Sequence, residues 1–364
     1  MKKLMTLEEF GYSDWFAGQV DSEMEEGLTV VRVTAIHKGE CEVSDGEETY
    51  PAKMTGRLRH RAKSKRDYPT VGDWVLVKDF EDEERISRIT RVLNRQSELK
   101  RKSAGRTTRY QLIAANIDTA FIMQTLGPGF NLKRLERYLV MVNESGIEPV
   151  VLMSKTDLLK SEELALRIQE IEERMPGIRI FAFSNHKKDG LAEVAELFEP
   201  KKTYCIIGTS GVGKTTLLNN LLGEEDCLFT LPVRESDGKG LHSTTWRELI
   251  TLENGAHVID TPGMRELGNM DVNEGIGETF DDITELSAQC KFNDCSHVNT
   301  KGCAVIAAVD SGALPEARYQ NYVRLMKEAA FHEQSALDKR DQDRKLSRFY
   351  RSTQSRSRKM KGEK

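Results

Sequence analysis

The sequence contains no uninterrupted apolar run long enough to form a transmembrane helix. Its start, MKKLMTLEEF, is followed by acidic rather than apolar sequence, so we expect no secretory signal and a cytoplasmic protein. Hydrophobic residues make up 38% of the chain and charged residues 31%. This composition excludes disordered, collagen-like and small disulfide-rich proteins. A length of 364 residues predicts more than one domain.

Cysteine is also scarce, and the C-x-x-C pattern typical of thiol redox enzymes is absent. Three of the six cysteines are scattered, at Cys41, Cys205 and Cys227. The other three surround a histidine in the pattern Cys290-x4-Cys295-x-His297-x5-Cys303. Three thiolates and one imidazole suit tetrahedral zinc with no open position, so we predict one structural zinc per chain. Unligated buried thiols or a redox role are the alternatives.

The net charge of −4 conceals an uneven distribution of charge. Residues 339–364 contain eleven Lys/Arg and three Asp/Glu, so this segment carries +8 and the rest of the chain −12. Two further basic stretches, GRLRHRAKSKR (56–66) and NRQSELKRKSAGRTTR (94–109), are weakly periodic and predict loops. Three separate basic patches on an acidic protein favour a nucleic-acid surface. Solvated faces or a disordered tail are the alternative interpretation.

The periodicity changes along the chain and predicts a multi-domain protein. Short alternating runs, beginning with WFAGQVD (15–21), predict an N-terminal OB-like β-barrel over residues 1–94. A basic linker (95–110) precedes alternating strands and helices over 111–274, which are typical of a parallel sheet covered on both faces. A C-terminal helical zinc-binding domain (275–350) and a basic disordered tail (351–364) complete the prediction.

The segment Gly208–Thr215 matches the phosphate-loop pattern G-x-x-x-x-G-K-[ST] between a predicted strand and a predicted helix. We assign nucleotide phosphates to its residues Gly208, Thr209, Ser210, Gly211, Val212, Gly213, Lys214, Thr215 and Thr216. Lys214 is predicted to reach the β and γ oxygens as a catalytic group, and Thr215 to bind magnesium. Downstream, VIDTPG (258–263) predicts that Asp260 holds magnesium and that the Gly263 amide contacts the γ-phosphate.

A phosphate loop alone allows an ATPase, a kinase or a GTPase. The segments VVLMSKTD (150–157) and IFAFSN (180–185) resemble the guanine-specificity elements of GTPases, which gives the candidate base-binding residues Ser154, Lys155, Thr156, Asp157, Ser184 and Asn185. Asp157 can accept the N1 and N2 protons of guanine, and the stem of Lys155 can cover the base. Ser154 replaces the usual Asn. We therefore expect one contact between this base segment and the phosphate loop to be lost.

These base elements precede the phosphate loop, which predicts a circularly permuted GTPase domain. This order, with the flanking β-domain and Cys/His cluster, resembles the ribosome small-subunit-dependent GTPase A family. The resemblance includes QLIAANID (111–118), KGLHSTTWRELI (239–250) and DTPGMREL (260–267). It implies a cytoplasmic bacterial GTPase, which we expect to be a monomer. It also implies that the enzyme binds the small ribosomal subunit and its rRNA late in maturation and is stimulated by that subunit.

Met264 stands where a Ras-like enzyme carries the glutamine that orients water. In the resembled family a histidine of the KGLHSTT loop is the candidate for this role, and His242 occupies that position. Leu241 and Ser243 depart from the family pattern. Either Thr244 or Thr245 is the switch ligand. His242 as an incidental loop residue, and a binding module whose nucleotide acts only as a conformational ligand, remain as alternatives.

Overall fold

The computed structural model describes residues 5–20, 27–37, 40–78, 86–102, 110–127, 130–223, 247–260, 276–277, 279–292, 295–298 and 300–327. Within these residues, no helix is both long and apolar enough to cross a membrane.

Five short strands form a closed N-terminal barrel: β1 Leu28–His37, β2 Glu40–Ser44, β3 Thr49–Met54, β4 Trp74–Lys78 and β5 Ser87–Val92. The barrel closes because β1 pairs with both β2 and β4, while β5 pairs with β3 and β4. Alternate residues of these strands point inward, so Val31, Val33, Val43 and Val75 fill a buried core. The predicted OB-like barrel is confirmed.

Two local predictions in this region are wrong. WFAGQVD (15–21) is not a strand, because helix α1 spans Asp14–Ala17 and buries Phe16 against the ring of Trp74. The basic stretch 56–66 is not a loop, because it contains helix α2, Gly56–Arg61, and a short 3-10 helix, Lys65–Asp67. Helix α2 begins where the Thr55 hydroxyl accepts a hydrogen bond from the Leu58 amide at 3.2 Å.

The second basic stretch was also predicted to be a loop, yet residues Glu98–Lys102 form strand β6. This strand pairs in antiparallel fashion with β7, Tyr110–Ala115. Leu99 is fully buried between the partly exposed Glu98 and Lys100, which is the alternation expected of a half-buried strand.

The central region is a mostly parallel sheet with helices on both faces, as predicted. Its strands are β8 Thr119–Thr125, β9 Glu148–Ser154, β10 Arg179–Ala182, β11 Thr203–Ile207, β12 Arg247–Thr251 and β13 His257–Asp260. They lie in the order β10-β9-β8-β11-β13-β12, and β12 is antiparallel. The accompanying helices are α3 Leu132–Asn143, α4 Ser161–Arg174, α5 Leu191–Ala195 and α6 Lys214–Leu222. Ile122 and its neighbour Phe121 belong to different buried clusters, as expected when both faces are covered.

The barrel is joined to the central sheet edge to edge. Strand β1 pairs with β12 through Ala35 opposite Glu248 and Ile36 opposite Arg247. The buried guanidinium of Arg32, on β1, donates to the Thr203 hydroxyl at the start of β11 at 2.7 Å. The barrel and the central sheet therefore form one continuous sheet of eleven strands.

The C-terminal region is helical, as predicted, with α7 Asp281–Ser287, α8 Ala304–Asp310 and a helix α9 over 316–327. A buried ionic network attaches it to the central region. The carboxylate of Glu136, on α3, accepts from Arg174 at 2.7 Å, from Arg318 at 3.2 Å and also from Asn321. Arg318 also donates to Asp282 on α7 at 2.7 Å. The buried Glu136 carboxylate therefore has paired charges from both regions.

Candidate nucleotide and metal sites

The phosphate loop, residues 208–215, connects the central strand β11 to helix α6. Its glycines adopt conformations that other residues rarely take, with φ of +80° at Gly211 and +101° at Gly213. A Cβ atom at Gly208 would lie 2.4 Å from the carbonyl oxygen of Met123. The glycines of the sequence motif are therefore required by the tight turn at the carboxyl end of β11.

The Lys214 side chain lies back across this loop. Its Nζ donates to the carbonyl oxygens of Gly208 at 2.9 Å and Thr209 at 3.0 Å. Helix α6 starts at Lys214 after Gly213, which has no side chain to cap the first amides. A helix N-terminus next to an ammonium group favours an anion, so the loop is suited to phosphate.

The first base loop, residues 154–157, follows strand β9, and the second, residues 184–185, follows β10. The Ser184 hydroxyl donates to Oδ1 of Asp157 at 2.5 Å, and this bond lowers the pKa of Asp157. The carboxylate is thus ionised at neutral pH and held in orientation by a buried serine. Lys155 has a left-handed backbone with φ of 61°, which turns the chain sharply before Asp157.

Ser154 keeps the connection that we expected it to lose. Its buried hydroxyl donates to the Val212 carbonyl oxygen of the phosphate loop at 2.8 Å. The loss predicted from the shorter side chain is wrong, because the phosphate-loop backbone approaches β9 closely enough for a hydroxyl to reach it.

The second base loop is also bonded to the phosphate loop. The Asn185 Nδ2 donates to the Gly213 carbonyl oxygen at 3.0 Å, and Asn220 on α6 donates to the Asn185 Oδ1 at 3.1 Å. No sequence motif pointed to Asn220. Helical periodicity could have found Asn220, because it lies two turns after Gly213 on one face of α6.

The structure therefore brings the two base loops and the phosphate loop together at the carboxyl ends of β9, β10 and β11. Thr215 is partly buried and Thr216 exposed at the start of α6. Asp260 ends β13 and pairs with Ile206 of the neighbouring β11, one strand away from the phosphate loop. The other predicted residues near the γ-phosphate lie outside the described residues: Leu241, His242, Ser243, Thr244, Thr245, Gly263 and Met264.

The four predicted metal ligands also come together, between α7 and α8. The ligand atoms of Cys290, Cys295, His297 and Cys303 all lie within 4.8 Å of one another. Burial lowers the pKa of His297, which favours the neutral imidazole that binds metals. The Ile306 amide donates to the Cys303 Sγ at 3.4 Å, a contact that stabilises a thiolate. This cluster could hold a metal ion.

Comparison with known proteins places this arrangement in a family. The model of the RsgA GTPase family matches residues 92–270. A protein of Vibrio vulnificus (strain CMCP6), named "Small ribosomal subunit biogenesis GTPase RsgA 2", is 38% identical over 98% of this chain and 97% of its own length. The chain belongs to the RsgA GTPase family. A family member from Lactiplantibacillus plantarum (strain ATCC BAA-793 / NCIMB 8826 / WCFS1), with the same name, is 39% identical over 90% of this chain and 91% of its own.

Solved structures similar to this RsgA-family chain include one that is described as circularly permuted. YjeQ from Thermotoga maritima matches with a TM-score of 0.61 and 28% identity, over 83% of this chain and 99% of its own. YloQ, described as a circularly permuted GTPase, matches with a TM-score of 0.59 and 27% identity, over 85% of this chain and 98% of its own. The predicted resemblance and the predicted permutation are confirmed.

Proposed function

We propose that this chain binds the small ribosomal subunit and its rRNA late in subunit maturation, and that it hydrolyses GTP to GDP and phosphate with stimulation by the subunit. The observation that carries the proposal is the bonding of both base loops to the phosphate loop, through Ser154 to Val212 and Asn185 to Gly213. These bonds support a single site in which the Asp157 carboxylate reads guanine and the loop 208–215 binds the phosphates. Relatives that cover most of the chain are named for small-subunit biogenesis.

In this proposal Asp157 accepts the N1 and N2 protons of guanine, which adenine does not offer in that arrangement. The Lys155 stem covers the base, and the backbone of Ser184 and Asn185 meets the base oxygen. The hydrogen bond from Ser184 to Asp157 supports this role, because it fixes one carboxylate oxygen and leaves the group ionised. An ATPase or kinase would not need a carboxylate in this position.

The phosphates bind along residues 208–216, where backbone amides and the Lys214 ammonium neutralise their charge. Magnesium bound with the nucleotide would supply positive charge that offsets the charge of the phosphates. Thr215 and Asp260 are its proposed protein ligands, and the Gly263 amide contacts the γ-phosphate. Lys214 moves from its loop carbonyls to the β and γ oxygens when the nucleotide binds, and it stabilises charge that develops during hydrolysis.

Orientation of the attacking water falls to His242, because the apolar Met264 cannot hydrogen-bond water. One of Thr244 and Thr245 closes over the γ-phosphate from the same loop. Subunit binding orders this loop, so the isolated protein turns over slowly and the complex turns over faster.

The Cys/His cluster fits one structural zinc. With zinc–sulfur bonds of about 2.3 Å and a zinc–nitrogen bond of about 2.0 Å, a tetrahedron has S···S edges of about 3.8 Å and S···N edges of about 3.5 Å. The Sγ atoms of Cys290 and Cys303 are 3.8 Å apart, and they lie 3.7 and 3.5 Å from the His297 Nδ1. With Cys295 as the fourth ligand, the ion would stabilise the segment between α7 and α8.

We further propose that the functional units have the predicted bounds, with the barrel in 1–94, the GTPase domain in 111–274 and the zinc-binding domain in 275–350. The linker 95–110 contains strand β6, and the tail 351–364 is the basic extension. The protein acts as a cytoplasmic monomer, since one chain carries every group assigned to the nucleotide site.

The test is phosphate release from GTP under multiple turnover, with and without purified small subunits, at low and high salt. We expect a basal rate well below one per second, as for unassisted GTPases, and strong stimulation by subunits at low salt. Lys214→Ala should abolish turnover, whereas His242→Ala should lower the stimulated rate much more than subunit binding. Stimulation should fall steeply with salt, because phosphate contacts release counterions.

Equal rates with and without subunits would contradict the proposal and favour a binding module whose nucleotide is only a conformational ligand. Hydrolysis of ATP in preference to GTP would contradict the assignment of the base loops.

A further inference from the structure

An open cleft of about 1000 Å³ lies on the barrel between helix α2 and the end of β5. Helix α2 forms one wall, and the segment from β5 to the start of β6 forms the other. OB barrels commonly bind oligonucleotides on the face of their second and third strands. Neither β2 nor β3 contributes a lining residue here, so the cleft is separate from that face.

The cleft carries an excess of positive charge, with the lining arginines Arg57, Arg61, Arg66, Arg91 and Arg95. Its two lining carboxylates already have partners. Glu98 is paired with Arg66 at 2.7 Å and with Arg95 at 3.2 Å. The Asp67 carboxylate accepts the backbone amide of Ser64 at 2.9 Å.

Two of the arginines differ from the rest. Among the contacts of the described residues, the guanidinium groups of Arg57 and Arg61 have no ion pair, and both residues are exposed. They lie four residues apart on α2, so both face the same side of the helix, about 6 Å apart along its axis. This separation is close to the spacing of successive phosphates in a nucleic-acid strand.

The walls behind these arginines are held in place. Arg95 has a side chain only 8% exposed and donates to Asp73 at 2.7 Å and to the Tyr68 carbonyl oxygen at 2.9 Å. Leu58 and Val92 line the cleft and also pack against the barrel core. The cleft therefore combines an apolar wall, formed by Leu58 and Val92, with two exposed cations that have no ion pair to another described residue.

We propose that this cleft binds one or two unpaired nucleotides of an RNA strand, with phosphates at Arg57 and Arg61 and a base against Leu58 and Val92. The inference rests on the proposed function, which makes RNA the partner. Three properties support it. Guanidinium groups match phosphate geometry, the volume is that of a small-ligand pocket, and proteins read RNA mainly through splayed, single-stranded bases.

The test uses the full-length chain and a fluorescently labelled twelve-nucleotide oligouridylate, with binding measured by anisotropy over a range of salt. The test variant is Arg57→Ala/Arg61→Ala. The control variant, Arg59→Ala/Lys63→Ala, removes the same charge from exposed residues with the same four-residue spacing that do not line the cleft. Thermal unfolding of both variants checks that they fold as the parent does.

We expect the test variant to bind the oligonucleotide about tenfold or more weakly at low salt. Its slope of log affinity against log salt should be smaller by about 1.4, the value for two lost phosphate contacts to a single strand. The control should differ from the parent by less than about twofold. Equal losses in both variants, or no loss in either, would overturn the proposal. Stronger competition by polyglutamate than by unlabelled RNA would assign the cleft to an acidic protein and also overturn it.

Co-sedimentation with small subunits separates this inference from the proposed function. If the parent binds subunits while the test variant loses no more oligonucleotide affinity than the control, the cleft is not an RNA site but the proposed function stands. If the parent does not bind subunits at all, the proposed function fails, and the oligonucleotide assay still decides the cleft.

Discussion

Among single residues, Ser154 contributes to the nucleotide site through a hydrogen bond from its hydroxyl to a backbone carbonyl. The residue type alone does not predict this bond. Its hydroxyl has one proton and two carbonyl neighbours, Val212 at 2.8 Å and Gln124 at 3.1 Å. The shorter bond joins the first base loop to the phosphate loop. A serine can thus replace an asparagine here because the accepting carbonyl lies close to β9.

Ser154→Ala should weaken GTP binding about fivefold, because it leaves the Val212 carbonyl without a donor and loosens the two loops relative to each other. Isothermal titration with GTP measures the change. Ser161→Ala, the same substitution at an exposed position at the start of α4, is the control and should bind as the parent does. Equal affinities for all three proteins would mean that the Ser154 contact does not support the site.

Asp157→Asn should weaken GTP binding by about tenfold to a hundredfold, since the negative charge is lost and the new amide NH2 faces the N2 donor of guanine instead of accepting its proton. It should favour xanthosine triphosphate, whose exocyclic oxygen can accept from the new amide. Competition between the two nucleotides measures the preference. A variant that still prefers GTP as strongly as the parent would remove Asp157 from the base site.

Among the secondary-structure elements, the C-terminal helices depend on two different kinds of polar contact. The Cys/His cluster holds the turn between α7 and α8, where Cys303 is also the N-cap of α8. On the opposite side, Glu136 of α3 pairs with Arg318 of α9, which attaches the helices to the central region. The metal cluster would add stability to the turn between α7 and α8, beyond the buried apolar contacts of residues such as Ile283 and Val305.

Cys295→Ser should abolish stoichiometric zinc and destabilise α7 and α8 more than the phosphate-loop region. Elemental analysis should give about one zinc per parent chain, and hydrogen exchange should show lost protection in α8. Cys41→Ser, which alters a barrel cysteine far from the cluster in the sequence, should keep the metal. A parent protein that is free of metal and fully protected in α8 would contradict a structural site.

In the molecule as a whole, the barrel and the GTPase domain share a buried interface. Arg32 of β1 bonds to Thr203 of β11, and the His257 ring nitrogen Nε2 lies 3.2 Å from the carbonyl oxygen of Glu9. Strand β12, which pairs with β1, begins two residues after the KGLHSTT loop (239–245). The barrel therefore contacts the strand that directly follows the proposed catalytic histidine.

The stability of this interface should decrease in acid because of His257. Burial lowers the pKa of this imidazole to about 3, with the nearby Arg32 charge as a smaller cause. The unfolded chain binds the proton near pH 6.5, whereas the folded chain keeps the imidazole neutral. The free energy of unfolding therefore contains the whole contribution of this group above pH 6.5, and it decreases as the pH falls toward 3. The loss should be about 1.4 kcal/mol per pH unit, or about 2 kcal/mol between pH 6.5 and 5.

Urea unfolding at pH 7 and pH 5 measures this dependence. His257→Gln cannot take up a proton, so it should lose less stability than the parent on acidification. Identical losses in the two proteins would show that His257 is not buried in its neutral form.

Several parts of this protein could be predicted from short, contiguous sequence patterns. The phosphate loop, the four clustered metal ligands and the alternation of strands and helices were all identifiable, because each follows from local spacing. The family resemblance and the permuted order also followed from the sequence, since the order of motifs along a chain requires no coordinates.

Tertiary structure decided what depends on distant partners. Residues Trp15–Ala17 lie in helix α1, where Phe16 packs against Trp74, which is far away in the sequence. The Ser154 contact depended on how closely the phosphate loop approaches β9, and the Arg-lined cleft on where α2 lies relative to β5. The periodicity of a sequence reports which side of an element is apolar. It does not report which other element covers that side, because this is fixed by contacts between residues far apart in the chain.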